Sequence, residues 1–89
     1  MEDKEIYKAA IGCYGAYNQE RMATEECAEL IQAINHKHRG RKENIAEEIA
    51  DVEIMLEQLK IINRCEEETE KIKRQKIDRL FERVFDDCL

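Results

Sequence analysis

No proline interrupts these 89 residues, and apolar side chains recur every three or four positions along most of them. Such a chain can pair its backbone groups locally and bury one stripe per helix, so its expected fold class is all-α. A β fold would call for more turn residues than no proline and three glycines. Charged residues make up 40% and apolar residues 43%, a mixture suited to helices with one oily and one wet face. A domain this short buries only about 60–65% of the surface that its unfolded chain exposes. The apolar stripes therefore exceed what one small core can cover, and self-association is expected.

The punctuation divides the chain into four helices. Ile6, Tyr7, Ala10, Ile11 and Tyr14 predict a first helix over Asp3–Tyr14, and Gly15–Asn18 reads as a bend. The second runs from about Gln19 to His38, with Gly40 as its C-terminal stop. Asn44 is a good N-cap with Glu47 three residues on, as in a capping box, and the third helix continues from there through Ile62. Asn63–Cys65 forms a short connection. The fourth helix spans about Glu66 to Asp86, with Ile77, Leu80, Phe81, Val84 and Phe85 on one face. One domain, residues 1–89, built as an antiparallel helical bundle and completed by dimerisation, is the expected architecture.

A net charge of −6 and a pI near 5.0 argue against a nucleic-acid polymer as partner, which would want a basic patch. Small metal-chelated phosphates remain allowed, because a bound divalent ion reverses the local sign. The basic run His36–Lys42 suits in part a helix C-terminus; Lys37–Lys42 reads mainly as a solvated loop, with a phosphate role as the alternative, and His36 and His38 are expected to be exposed. Cys13, Cys27, Cys65 and Cys88 show no CxxC pair, and with no signal peptide evident they read as free thiols acting as small core residues. No stretch approaches the roughly 20 apolar residues of a membrane span, so a cytoplasmic protein is expected.

The informative residues are carboxylates in apolar positions. Each helical residue advances by about 100°. On the third helix, Ile45, Val52, Met55, Leu59 and Ile62 all fall within about 60° of Glu48. Asp51 lies about 60° round and about 4.5 Å along the axis, close enough for the two carboxylates to converge. On the second helix Glu26 is flanked by Leu30, Met22 and Ala33, with Glu29 near the stripe's edge and Glu25 turned further outward. An isolated buried carboxylate costs several kcal/mol after relaxation, comparable to the whole stability of a small domain. Two such pairs require a compensating positive charge, and a divalent cation supplies it. Individually, ExxE and ExxD are common on solvated helix faces; the weight comes from two pairs that both enter apolar stripes. A ligand set of oxygens favours Mg2+ or Mn2+ over zinc. The absence of ExxH counts against a di-iron bundle.

At these positions the chain resembles the MazG-like all-α nucleoside triphosphate pyrophosphohydrolases, whose signature is EExxE, a gap, then ExxD. Here the pattern reads Glu25-Glu26-Cys27-Ala28-Glu29, eighteen intervening residues, then Glu48-Ile49-Ala50-Asp51. The surrounding text, MATEECAELIQAI and EEIADVEIMLEQL, is similar too, and the resemblance covers about residues 14 to 85. It implies a four-helix domain assembling as a homodimer or homotetramer, which hydrolyses a nucleoside triphosphate to monophosphate and pyrophosphate. It also implies Glu26, Glu29, Glu48 and Asp51 as Mg2+ ligands, with Glu25 supporting the site by orienting water or binding a further ion; of the nearby glutamates, Glu25 is also the first candidate to accept a proton. Phosphoryl transfer needs positioning and charge neutralisation more than a covalent nucleophile, so this inventory suits it.

Phosphate oxygens facing away from a metal need cations. The family's spacing in the fourth helix implies Lys76 and Arg79 for that role, the alternative being a solvated flank paired with Glu82 and Asp86. Tyr14, Tyr17 and Gln19 are candidates for a base pocket, against core packing or capping for each. The rival class for the whole chain is a non-catalytic helical oligomerisation or adaptor module, which leaves Glu48 in an apolar stripe without a reason.

Overall fold

Three corners of this chain are made by residues with positive φ: Gly15 (93°), Gly40 (78°) and Arg64 (53°). In the computed structural model, which describes residues 1–88, they separate α1 (Asp3–Tyr14), α2 (Ala16–His38), α3 (Ile45–Ile62) and α4 (Glu66–Cys88). No strand occurs among the described residues. Gly40 ends α2 as expected. Its N–H bonds the Lys37 carbonyl (3.0 Å) and the Arg41 N–H bonds the His36 carbonyl (3.0 Å), so two orphan carbonyls are satisfied by the reversed backbone. Arg64 repeats the same pattern after α3, with Arg64 N–H on Ile61 O (3.2 Å) and Cys65 N–H on Lys60 O (3.0 Å). Here no glycine supplies the left-handed residue.

The bend expected over Gly15–Asn18 is one residue long, because α2 already begins at Ala16. Gly15 alone takes the non-helical conformation. Asn18, read as part of the bend, is helical, and its side-chain amide donates to the Tyr14 carbonyl (2.8 Å) at the end of α1. Asn44 caps α3 by accepting the Glu47 N–H (3.1 Å). The return half of a capping box is altered: the Glu47 carboxylate receives the Asn44 side-chain amide (3.2 Å), not a backbone N–H.

Packing centres on α2 and α3, with α1 laid against both. Gln19 near the start of α2 meets Gln58 near the end of α3, so the pair runs in opposite senses. The buried apolar residues are few and mostly small: Ala23 and Ala33 from α2, Val52 and Met55 from α3. Alanines at the seam let the helix axes approach, but they bury little area each. Helix α4 buries none of its residues and, among the other helices, packs only sparsely on α3. Its root is held by polar contacts, Lys4 Nζ to Glu66 Oε2 (3.1 Å) and Lys60 Nζ to Glu70 Oε1 (3.6 Å). The radius of gyration is 16.2 Å, against about 12 Å for a compact domain of this length. One chain therefore builds a helix pair with α1 beside it, and α4 departs from it.

The four cysteines are free, as expected, but they are not core residues within one chain. Cys13 and Cys88 are exposed; Cys27 and Cys65 are half-buried. No helix among the described residues is long and apolar enough to cross a membrane.

Candidate metal centre

The contact between α2 and α3 follows a seam on each helix. Gln19, Ala23, Glu26, Leu30 and Ala33 are spaced four, three, four and three residues apart, and all are buried or half-buried. Ile45, Glu48, Val52, Met55, Leu59 and Ile62 form the matching seam of α3, again all buried or half-buried. Apolar residues at such spacing point one row of side chains at the neighbouring helix. Glu26 and Glu48 each occupy a seam position, so the fold carries both carboxylates to the helix contact.

Glu26, Glu29 and Glu48 each place a carboxylate oxygen within 4.8 Å of the other two. Glu26 and Glu48 are half-buried, whereas Glu29 lies on the solvent side. One oxygen of Glu26 and one of Glu48 are out of solvent contact and have no hydrogen-bond partner. Buried polar atoms almost always find a partner, so two orphans within one small cluster are a specific feature. Asp51 is half-buried and lies outside the tight trio, though near enough for its charge to act on both buried acids.

The electrostatics follow. Burial raises the Glu26 carboxyl above its ordinary value of 4.5, and the charges of Glu29, Asp51 and Glu48 raise it further. Burial likewise raises Glu48, followed by repulsion from Glu29 and Asp51. Desolvation and like charge both disfavour the ionised forms. The site is short of positive charge. The residues fit a hard divalent cation, since carboxylate oxygens converge from two helices and two of them lack any partner.

The other sequence candidates are dispersed. Glu25 is exposed on α2, outside the cluster, as its wheel position implied. Gln19 is buried, and its amide donates to Gln58 Oε1 at 2.7 Å, so its polar group is engaged inside the helix pair. Lys76 and Arg79 line hollows bounded by α4 side chains alone, without the carboxylates. Neither forms an ion pair among the described residues, so the alternative pairing with Glu82 and Asp86 is not made. Tyr14 and Tyr17 are 62% and 73% exposed, which removes core packing within one chain as their role.

Two contacts were not foreseen. Gln58 forms the buried amide pair with Gln19 and donates to Met55 Sδ (3.8 Å). Its signal was available in its position three residues after Met55, on the same face. His36, expected to be exposed, is half-buried with Nδ1 2.5 Å from Glu43 Oε1, tying the end of α2 to the loop before α3. His36 thereby takes a partner in the loop, and it lines a surface hollow together with Glu29.

No family model, curated protein or solved structure matches the chain. The MazG-like resemblance therefore rests on the motif and its spacing.

Proposed function

We propose that this chain is a Mg2+-dependent nucleotide pyrophosphohydrolase, with Mn2+ as the alternative ion, converting a nucleoside triphosphate to the monophosphate and pyrophosphate. The observation that carries the reading is the pair of buried, partnerless carboxylate oxygens of Glu26 and Glu48 beside Glu29. Glu26, Glu29 and Glu48 would hold the ion, with Asp51 completing the set from the next turn of α3. When bound, the ion supplies Lewis-acid chemistry, neutralising phosphate charge and acidifying water. Glu25, exposed and one residue before Glu26, would be the group to accept a proton from water. Lys76 and Arg79, which form no ion pair among the described residues, would serve phosphate oxygens, and from α4 they would reach the carboxylates only in an assembly of chains. Gln19 would act on the base only by giving up Gln58; its buried bond favours a structural part. The finer architecture, an antiparallel four-helix bundle completed as a homodimer or homotetramer in the cytoplasm, belongs to this same reading.

The test is pyrophosphate release from a panel of canonical and modified nucleoside triphosphates with Mg2+ or Mn2+, wild type against Glu48→Gln. Release by wild type that falls by orders of magnitude in the variant supports the reading. Equal release by both defeats it.

A second reading, a non-catalytic helical oligomerisation module, is favoured by the bare apolar stripe of α4. It predicts a melting temperature indifferent to Mg2+ and EDTA.

A further inference from the structure

We infer that the buried Gln19–Gln58 amide pair is a clamp at the open end of the α2–α3 hairpin, a positioning pair that holds the carboxylates of Glu26 and Glu48 opposite each other. This deepens the metal-site reading above and rests on it for the ion those carboxylates would hold, not for the clamp itself.

A hairpin of two helices is tied covalently at one end. Here that end is well made: the turn at Gly40 closes α2, Asn44 caps α3, and His36 reaches Glu43 in the loop between them. The other end, where α2 begins and α3 nears its finish, has no loop to hold it. Among the described residues, the bond from Gln19 Nε2 to Gln58 Oε1 (2.7 Å) is the one side-chain hydrogen bond between α2 and α3, and no ion pair joins them. Helix α1 lies against both helices but buries none of its own residues and makes no side-chain hydrogen bond to α3.

Apolar packing along the seam defines the register weakly. Its fully buried members are Ala23, Ala33, Val52 and Met55, and an alanine is too short to interlock with a facing helix. A polar pair within such a seam discriminates far more sharply, because any other register leaves both groups buried without partners. Gln19 and Gln58 meet that condition, at 7% and 4% exposed. Gln58 is fixed from its other side as well, since its Nε2 donates to Met55 Sδ (3.8 Å) while its Oε1 accepts from Gln19.

The clamp has a force to oppose. Glu26 follows Gln19 by seven residues and Glu48 precedes Gln58 by ten, so both acids lie between the loop and the amide pair. Oxygens of Glu26, Glu29 and Glu48 lie within 4.8 Å of one another, and like charges at that range repel, the more so out of water. Without a cation this repulsion acts to part α2 from α3. The amide bond resists it at the end that the loop does not reach. A slide of one helical turn, about 5.4 Å, exceeds the 4.8 Å span of the cluster and would take Glu48 from the two α2 carboxylates.

The experiment compares the full wild-type chain with Gln19→Leu/Gln58→Leu and with a fourfold variant that adds Glu26→Gln and Glu48→Gln. Mn2+ affinity is measured by titration, and NOEs across the helix pair from the Ala23 and Ala33 methyls are recorded in EDTA. The double variant is expected to bind Mn2+ about 10–100-fold more weakly, as when a group that orients metal ligands is removed. It should lose the NOEs of Ala23, towards the open end, and keep those of Ala33, towards the loop. In the fourfold variant the Ala23 NOEs should return, because the repulsion is gone. A merely structural pair would lower stability, leave the Mn2+ affinity of the folded chain alone and gain nothing from neutral carboxylates. Equal Mn2+ affinity in wild type and the folded double variant overturns the inference. So do Ala23 NOEs that persist in the double variant or stay lost in the fourfold one. If the double variant does not fold, the fourfold variant must, and its failure to fold is equally fatal. Wild type that binds no Mn2+ defeats the metal reading instead, and the NOEs then decide the clamp by themselves.

Discussion

Glu26 on α2 and Glu48 on α3 meet across the helix pair, each holding one carboxylate oxygen away from water without a hydrogen-bond partner. Both sit where the seam spacing calls for an apolar side chain, and Glu48 adds to the repulsion that raises the Glu26 carboxyl. A helix pair with so few large buried residues gains little from this arrangement unless a cation joins it. The first two predictions follow from that.

Mg2+ is expected to stabilise the wild-type chain, by about 2.7 kcal/mol at a hundred times its Kd. In Glu48→Gln the stabilisation should be largely lost, while in EDTA the same variant should melt above wild type because a repelling charge is gone. Thermal melting of both proteins with EDTA and with Mg2+ checks this. Identical responses of the two would remove the cation from the site.

Without metal, stability should fall as pH rises above 4.5. Glu26 and Glu48 have raised folded-state values, so the native state binds more protons than the unfolded state in the window between 4.5 and those values. The slope of unfolding free energy with pH is then negative, the contribution being present at low pH and lost as the carboxyls ionise. Urea unfolding in EDTA across that window, wild type against Glu26→Gln/Glu48→Gln, isolates the effect. A pH slope that is the same in both proteins would contradict it.

The Gln19–Gln58 bond is expected to behave as a closed pair. Gln19→Leu leaves the buried Gln58 Oε1, and Gln58→Leu the buried Gln19 amide N–H, without this partner, at a cost of about 1–3 kcal/mol. The double substitution removes both polar groups and should cost less than the sum of the singles. A double-mutant cycle from denaturant midpoints reads the coupling directly, and strict additivity would show the bond to be of no consequence.

Arg64 holds φ at 53° in the C-terminal turn after α3, a place that Gly40 fills after α2. Glycine adopts that conformation without the Cβ penalty. Arg64→Gly is therefore expected to stabilise the chain by about 1 kcal/mol, less the extra entropy of an unfolded glycine. Gly40→Ala should destabilise by a similar amount. Denaturation midpoints of the two variants should move in opposite directions.

Helix existence was readable throughout, since periodicity, Gly40 and Asn44 are local signals and α1 and α3 fall where they point. The start of α2 was misplaced by three residues. Gly15–Asn18 reads as a bend, but Asn18 is helical and its side chain satisfies the Tyr14 carbonyl, so one glycine suffices for the corner. The intrusion of Glu26 and Glu48 into apolar stripes was likewise legible, because wheel position is a property of spacing alone. The meeting of Glu29 with them, the outlying position of Asp51 and the engagement of Gln19 with Gln58 depend on how two helices are set against each other. Lys76 and Arg79 illustrate the same limit: their spacing is plain, but where α4 goes is not.

Residue order settles what lies within one or two turns: which segments coil, where they stop, and which acids face the oily side. Backbone hydrogen bonds and the 3.6-residue repeat act over that range. Which stripe finds a partner is a contest of burial between distant segments. Here the α2 and α3 seams are satisfied within the chain while α4 is left outward, and only the assembled packing reveals that outcome.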